Sequence, residues 1–508
     1  MKTARERLVV VKNSFANVVR GGASALVALL LPAFLTRFMS PIAYGAWALV
    51  LQLSAYVGYL DFGIQTAVGR FVAHANELHD TEYRDRMIST SLAILTLSVS
   101  LAFLGILALT ALLPTLFHQL PLAFLHDIRL ALLLVGGSLA IGLPASIFNG
   151  VFVGMQRHEI PAVIVGTSRL VGAILVVLVV RHGGGLAAMG AVMAAANVTS
   201  YAFQYWIYRR IAPGMKLATG LVSKSAAAEL VEYCLSLTVW SAALLLVTGL
   251  DLTIVGMYRF REVAYYAVAA TVVTFIGGLY NAIFSPLVPA AAVMHARADD
   301  QGLGRMVVLT TRYGMFLLLI TGVPVIFGAT PLLALWVGPT YALHARLLVQ
   351  VLVVANIIRL SATSYVVAMI GSGEQRLVIM TPLLEGITNL LLSLVGGYYW
   401  GAVGVALGTF AGAVVGVTGN LLYNMPRTKG IRFSIREYIY DSLLRPLLCS
   451  GPVLALILLW PLIPHPPSAL RIGLVISTVA LTLWAFWTVG LMPSERRTVK
   501  ERARNAVS

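Results

Sequence analysis

Apolar residues in this chain come in long runs rather than in alternation. Leu, Ala, Val and Ile fill stretch after stretch, each closed by a short polar or basic turn. Runs of about 20 apolar residues have the length of a helix that crosses a bilayer. The runs predict spans at 15–38, 42–72, 87–113, 127–153, 161–180 and 185–208. Six more follow at 234–257, 263–293, 310–328, 345–370, 377–397 and 401–423, and a last pair at 442–463 and 469–492. Porin strands would show an apolar/polar period of two, which these runs lack. The prediction is an all-α polytopic membrane protein with about fourteen transmembrane helices.

Composition agrees. Of 508 residues, 59% are hydrophobic and 11% charged, against about 25% charged in an average soluble domain. So few charged side chains could not cover a soluble protein of this length, which excludes a cytosolic enzyme, a disordered chain and a secreted domain. Cys234 and Cys449 have no metal or redox spacing. Lys2, Arg5, Arg7 and Lys12 precede the first run, but that run continues to Phe38 without a small-residue cleavage site. It reads as a retained first helix.

The net charge of +16 bears on topology and anionic lipid rather than on nucleic acid. With the N-terminus inside, the basic clusters fall on one side: Arg84 and Arg86; Arg209, Arg210, Lys216 and Lys224; Arg427, Lys429, Arg432 and Arg436; and the tail from Arg496 to Arg504. By the positive-inside rule both termini are cytoplasmic and the number of spans is even. The longest outside loops, near 114–126 and 330–345, are too short for a catalytic domain.

The chain also repeats itself. Arg37-Phe38, Ala43-Tyr44, Ala46 and Ala48 after the first span match Arg259-Phe260, Ala264-Tyr265, Ala267 and Ala269 after the seventh. Gly154-Met155-Gln156-Arg157 matches Gly373-Glu374-Gln375-Arg376, and Gly190 matches Gly404. Six spans per repeat give both halves the same orientation, hence parallel repeats about an axis along the membrane normal. The expected organisation is a six-helix lobe at 1–210, a cytoplasmic linker at 211–233, a second six-helix lobe at 234–423, an appended helix pair at 424–492 and a basic tail at 493–508. In transporters built this way the path lies between lobes that rock.

Charged groups within spans are the candidate chemistry, because each costs about 2.5–3.5 kcal/mol at membrane depth on insertion scales. Arg169 and Arg359 lie near the middle of spans five and ten, too deep to snorkel comfortably. Arg20 is near the inner end of span one. Arg70 is near an inner surface it could snorkel to, and Arg37 is at an outer helix end where a cap or headgroup contact also fits. Asp61, Asp251 and Glu385 are the carboxylates: Asp61 could pair with Arg20, Asp251 with Arg259 or a local helix break, and Glu385 with one of the deep arginines. Guanidinium groups in a cavity suit an anionic ligand, since their fork matches phosphate oxygens. Asn149, Asn197, Asn356 and Asn389 could bind sugar hydroxyls or join helices. The nine histidines are scattered without ligand spacing, and the chain carries no Walker A, GxSxG or HExxH motif. No metal, cofactor or enzymatic activity is expected.

Leu35-Thr36-Arg37-Phe38-Met39-Ser40-Pro41-Ile42-Ala43-Tyr44-Gly45 resembles the "aRxLGPxxYG" signature of the polysaccharide-transporter branch of the multidrug/oligosaccharidyl-lipid/polysaccharide exporter superfamily. Ser40 replaces the usual glycine. Leu60-Asp61-Phe62-Gly63-Ile64 with Arg70 and Ala73 is similar to its "DlGl…R…A" run, and Gly154-Met155-Gln156-Arg157 to its turn after the fourth span. The resemblance implies a Wzx-type flippase of the bacterial inner membrane. Such a protein moves an undecaprenyl-diphosphate-linked oligosaccharide to the periplasmic leaflet for exopolysaccharide, O-antigen or capsule assembly. Arg20, Arg169 and Arg359 would draw in the diphosphate, with Arg70 and Arg37 as further binding candidates. Protonation of Asp61, Asp251 or Glu385, or a counter-ion, would drive release. The partners implied are the lipid-linked oligosaccharide, membrane lipids, and a polysaccharide polymerase and chain-length proteins. A peptidoglycan-precursor flippase and a cation-coupled drug exporter are the alternatives within the superfamily. A membrane polymerase or ligase is the alternative outside it.

Overall fold

The computed structural model describes residues 27–284, 286–459, 468–491 and 495–497. Arg20, the start of the first span, and the tail residues Lys500, Arg502 and Arg504 lie outside the described residues. The described chain is helical, as the runs predict. In order the helices are α1 (Val27–Phe38), α2 (Pro41–Ala55), α3 (Ile64–Glu77), α4 (Thr81–Leu116), α5 (Leu122–Gly154), α6 (Glu159–Arg181), α7 (Leu186–Ile211), α8 (Lys224–Leu244), α9 (Asp251–Tyr258), α10 (Val263–Phe284) and α11 (Leu287–Ala296). There follow α12 (Asp300–Phe327), α13 (Ala329–Trp336), α14 (Pro339–Leu360), α15 (Thr363–Gly371), α16 (Gln375–Val378), α17 (Met380–Gly419), α18 (Met425–Arg427), α19 (Ile435–Glu437), α20 (Arg445–Cys449), α21 (Gly451–Leu459) and α22 (Ser468–Ala485). Among the described residues, ten continuous helical stretches are long and apolar enough to cross a membrane, and Val27–Phe38 and Ala480–Gly490 are shorter apolar helices.

Several spans are interrupted inside the apolar zone, and each interruption has a visible cause. Spans eleven and twelve run together as α17, but Gly401 (φ 60°, ψ −137°) leaves helical geometry between them. Glycine holds that positive φ without a Cβ penalty. The Glu262 carboxylate accepts the Ala402 N–H at 2.7 Å, capping the helix that restarts there. Between α8 and α9 the chain makes a π turn, Leu245–Gly249. Its last carbonyl accepts from Gln52 (2.7 Å) and Tyr56 (2.8 Å).

Packing divides the chain into two compact units. The first holds the chain through Phe275 with Leu333–Leu348 and Gly386–Thr409; the second holds Ile276–Leu332, Val349–Glu385 and Phe410 onward. These units are groups of mutual contact, whereas the lobes expected from the repeat are defined by span order. The two partitions differ: α8, α9 and the start of α10 pack with the first six spans.

The core of the first unit joins α3, α4, α5, α7 and α8. Val68, Phe71 and Val72 meet Ile88, Phe148, Val151, Phe152 and Tyr208, with Leu230 and Cys234 closing one side. Small residues let α3 and α5 touch, as in membrane helix pairs generally. A Cβ on Gly150 would stand 2.6 Å from the Gln65 carbonyl, and one on Gly154 2.7 Å from that of Gly69. Outward-facing leucines of α4, among them Leu97, Leu101 and Leu104, are exposed, as lipid contact requires. The repeat-matched tyrosines converge in this unit. Tyr44 and Tyr265 both set their rings edge-on to Tyr341, at 6.1 and 5.5 Å, and His344 stacks on Tyr265 at 4.7 Å.

In the second unit Leu303, Val307 and Val308 of α12 pack on Tyr365, Ala368 and Met369 of α15, with Met425 and Tyr438. Here a Cβ on Gly371 would come within 2.6 Å of the Val288 carbonyl.

The α3–α5 contact makes a direct test. Gly150→Ala is expected to cost about 1–3 kcal/mol, because backbone must move to admit the methyl group. Gly166→Ala, whose Cβ would meet nothing within 4 Å, should be neutral or slightly stabilising. Thermal unfolding of detergent-purified protein checks both, and equal midpoints would remove the close approach as the reason for Gly150.

Candidate functional site

The first unit contains a polar cavity of about 480 Å³. Its walls come from α2, α5, α6, α7 and the 3-10 turn Tyr56–Asp61, which ends in two left-handed residues, Phe62 (φ 52°) and Gly63 (φ 79°). That turn swings Asp61 to the cavity wall. Its carboxylate accepts from Ser146 Oγ at 2.9 Å and from the Gln65 N–H at 3.3 Å. Arg169, near the middle of α6, lines the same cavity, with Ser168 beside it. From α7 the face Asn197, Ser200, Tyr201 and Gln204 completes it, a helical spacing that puts all four side chains on one side. The cavity therefore holds one guanidinium, one carboxylate and a set of neutral amides and hydroxyls inside an apolar bundle.

Asp251 lies elsewhere in the first unit, at the first turn of α9 just after the π turn. It is buried and held by neutral donors: Tyr266 and Thr409 hydroxyls at 2.9 Å each and Asn389 Nδ2 at 3.1 Å. Asn389 also donates to the Val247 carbonyl at 2.8 Å, and Ser393 donates to Asn389 Oδ1 at 2.9 Å. Of the readings open for Asp251, its position matches a residue at a helix break.

Arg359 lies in the second unit, in the last turn of α14, where the helix dipole favours a cation. Its Nε donates to Glu385 Oε1 at 2.5 Å. This is the pairing open to Glu385 in the sequence, and both side chains are largely buried. A Cβ on Gly416 would collide with the Glu385 carboxylate, so the absence of a side chain there makes room for the pair. Arg359 Nη2 and, one turn earlier, Asn356 Nδ2 are buried without a partner.

Arg70 and Arg37 are exposed, and neither lines the polar cavity. The Arg70 guanidinium sits over the Tyr233 ring at 4.6 Å, a cation–π contact that accounts for it without a ligand. The structure thus brings Asp61 and Arg169 to one cavity and sets Arg359 with Glu385 as a separate pair.

Sequence reasoning passed over two features. Arg312 is fully buried and pairs with Glu495, which also accepts from Tyr313 at 3.0 Å. The run beginning at 310 placed Arg312 at a span end, but α12 starts ten residues earlier, at Asp300. Gln204 of the cavity was also passed over, although the four-residue recurrence of polar groups along α7 was a readable signal.

The Arg359–Glu385 pair has a testable consequence. Arg359→Ala leaves a carboxylate buried alone and is expected to cost about 3–5 kcal/mol. Arg359→Gln combined with Glu385→Gln, which removes both charges, should recover most of it. Yield of monodisperse protein and thermal unfolding check this. A single variant as stable as the parent would show that the pair does not hold α14 to α17.

Residues 10–295 match the family described as polysaccharide biosynthesis protein. No curated protein matches the chain. Among solved structures, the lipid II flippase MurJ in an inward closed conformation is 12% identical with a TM-score of 0.72, over 94% of this chain and 98% of that one. The Vibrio cholerae MATE transporter VcmN in its bent form is 15% identical with a TM-score of 0.55, over 86% and 99%. A superfamily transporter from Pyrococcus furiosus is 12% identical with a TM-score of 0.52, over 80% and 94%. At these identities the likeness is one of fold, and it places the architecture expected from the spans among known membrane transporters. The family match covers more than half of the chain and takes in α1 through α10, where the signature residues Leu35–Gly45, Leu60–Ile64 and Gly154–Arg157 stand. The chain belongs to the polysaccharide biosynthesis protein family.

Proposed function

We propose that this protein is a flippase for an undecaprenyl-diphosphate-linked oligosaccharide, moving it from the cytoplasmic to the periplasmic leaflet by alternating access for exopolysaccharide, O-antigen or capsule assembly. The observation that carries the reading is Arg169 on the wall of a polar cavity within an apolar bundle, in a chain of the polysaccharide family. A guanidinium is always charged and can grip two phosphate oxygens at once. The lipid tail stays in the bilayer while the head group enters the cavity.

Arg359 takes a secondary place, because it lies in the second unit, paired with Glu385, and does not line this cavity. Arg20 remains a candidate for the same task. We assign Asp61 the role of tuning release. Its carboxylate shares the cavity with Arg169, so a proton on Asp61 favours an anionic ligand and loss of that proton favours release. That is the opposite of a release step driven by protonation at this residue. Asp251 is a second candidate for coupling, bonded by Tyr266, Thr409 and Asn389 apart from the cavity.

Lipid II flippases and drug exporters share this fold, so the fold does not choose among them; the family match favours polysaccharide cargo. No catalytic role is assigned: the longest loops outside the spans are short, and the cavity lies within the apolar bundle.

Two measurements test the reading. Arg169→Ala should abolish glycan export in cells, and Arg169→Lys should retain a part of it, since Lys keeps the charge without the fork. Normal export by well-expressed Arg169→Ala would make the side chain structural. For topology, Lys429→Cys is expected to react with a membrane-impermeant maleimide after permeabilisation alone, and His118→Cys in intact cells. The reverse pattern would invert the orientation.

A further inference from the structure

The side chains around Arg169 are unevenly satisfied. Ser146 donates to Asp61, Ser168 to the Ala196 carbonyl at 2.9 Å, Asn197 to Ser138 at 3.0 Å, and Gln204 Nε2 to Ser200 at 3.2 Å. These donors are spent on the protein itself. Two carbonyls are not: Asn149 Oδ1 and Gln204 Oε1 are buried with no hydrogen-bond partner, on residues that line the cavity. Gln204 is 1% exposed. Exchanging its amide oxygen and nitrogen would leave an unpaired donor in place of the acceptor, and a hydroxyl group, which both donates and accepts, meets either assignment. A buried acceptor left unpaired costs about 1–3 kcal/mol, and either carbonyl gains a partner by turning to a donor in the cavity.

The ligand that suits this wall must donate hydrogen bonds to neutral carbonyls and also accept from a guanidinium. A phosphate group offers acceptors and would meet the two carbonyls unfavourably. A metal ion or organic cation would meet Arg169 unfavourably. A neutral polyhydroxyl compound satisfies both, because each hydroxyl is at once donor and acceptor. Tyr201 also lines the cavity, the tip of its ring seated where Gly142 has no side chain. We infer that the cavity of the first unit is a sugar subsite, with Gln204 and Asn149 as specificity-determining residues that accept hydrogen bonds from sugar hydroxyls. The inference rests on the flippase reading for its lipid carrier: Arg169 would lie where the glycan meets the diphosphate.

The test uses the full chain in lipid nanodiscs. The probes are a polyprenyl diphosphate, the same lipid carrying a single glucose, galactose or N-acetylglucosamine, and the corresponding methyl glycosides. The parent protein is expected to bind at least one glycosylated lipid about tenfold more tightly than the bare diphosphate. Gln204→Leu and Asn149→Leu should each remove about three- to tenfold of that preference, read as the ratio of glycosylated-lipid to bare-lipid affinity, the worth of one or two neutral hydrogen bonds. Gln204→Met and Asn149→Ser repeat the test should a leucine variant fail to fold. Equal binding of bare and glycosylated lipid, or a preference that both positions can lose without change, overturns the subsite and leaves the flippase reading standing, with the cavity reading the diphosphate and not the sugar. Methyl glycosides that bind through Gln204 while no lipid diphosphate binds support the subsite and overturn the lipid carrier. Failure of every probe overturns both.

Discussion

Inside a bilayer a backbone polar group has no water to turn to, so every break in a helix must be satisfied by the protein itself. This constraint organises the structure. The carbonyl at the end of the π turn, Gly249, is taken by Gln52 and Tyr56. The helix restarting after Gly401 is capped by Glu262. Where α14 gives way to α15, the Ser361 carbonyl accepts from Tyr438 at 2.6 Å. Asn389 bonds the π-turn carbonyls and Asp251 together. Most polar side chains at membrane depth are thus occupied with backbone, and a polar residue in a span is first a helix-joining device.

Against that background the cavity of the first unit stands out because a guanidinium, a carboxylate and two unpaired amide carbonyls belong to residues lining one open space. The ion pairs Arg359–Glu385 and Arg312–Glu495 are buried and mutually neutralised. Truncating one partner of such a pair is costly, while the pair itself adds little net stability over an apolar contact. Arg169 and Asp61 share a cavity wall with unpaired amide carbonyls. Polar capacity that the fold does not consume is what a transported head group requires.

The all-helical membrane class and the family were legible because they rest on long-range statistics: apolar runs and a short signature near Arg37 and Tyr44. The break at Gly401 was also legible, as the gap between two runs. The packing units were not, because contact between α8 and the first six spans depends on helix faces that a uniformly apolar run does not mark. The site was half legible. Depth singled out Arg169 and Arg359 equally, but depth does not reveal that Glu385, 26 residues further on, closes on Arg359 while Arg169 faces a cavity. Gln204 is marked in the sequence by the polar recurrence along α7 alone; which of its atoms lacks a partner is not written there.

The proposed division of the head group between a guanidinium and neutral amides also bears on turnover. A transporter gains nothing from a ligand it cannot release. A diphosphate held by desolvated arginines alone would be held by charge-assisted bonds, roughly twice as strong as neutral ones. Asp61 in the same cavity offsets part of that attraction. Neutral carbonyls such as those of Asn149 and Gln204 add recognition in steps of about 0.5–1.5 kcal/mol each. Discrimination can then rise with the number of sugar hydroxyls read, while the charge term that opposes release stays fixed. On this reasoning the cationic residue sets whether a lipid diphosphate is admitted, and the uncharged wall sets which glycan it carries.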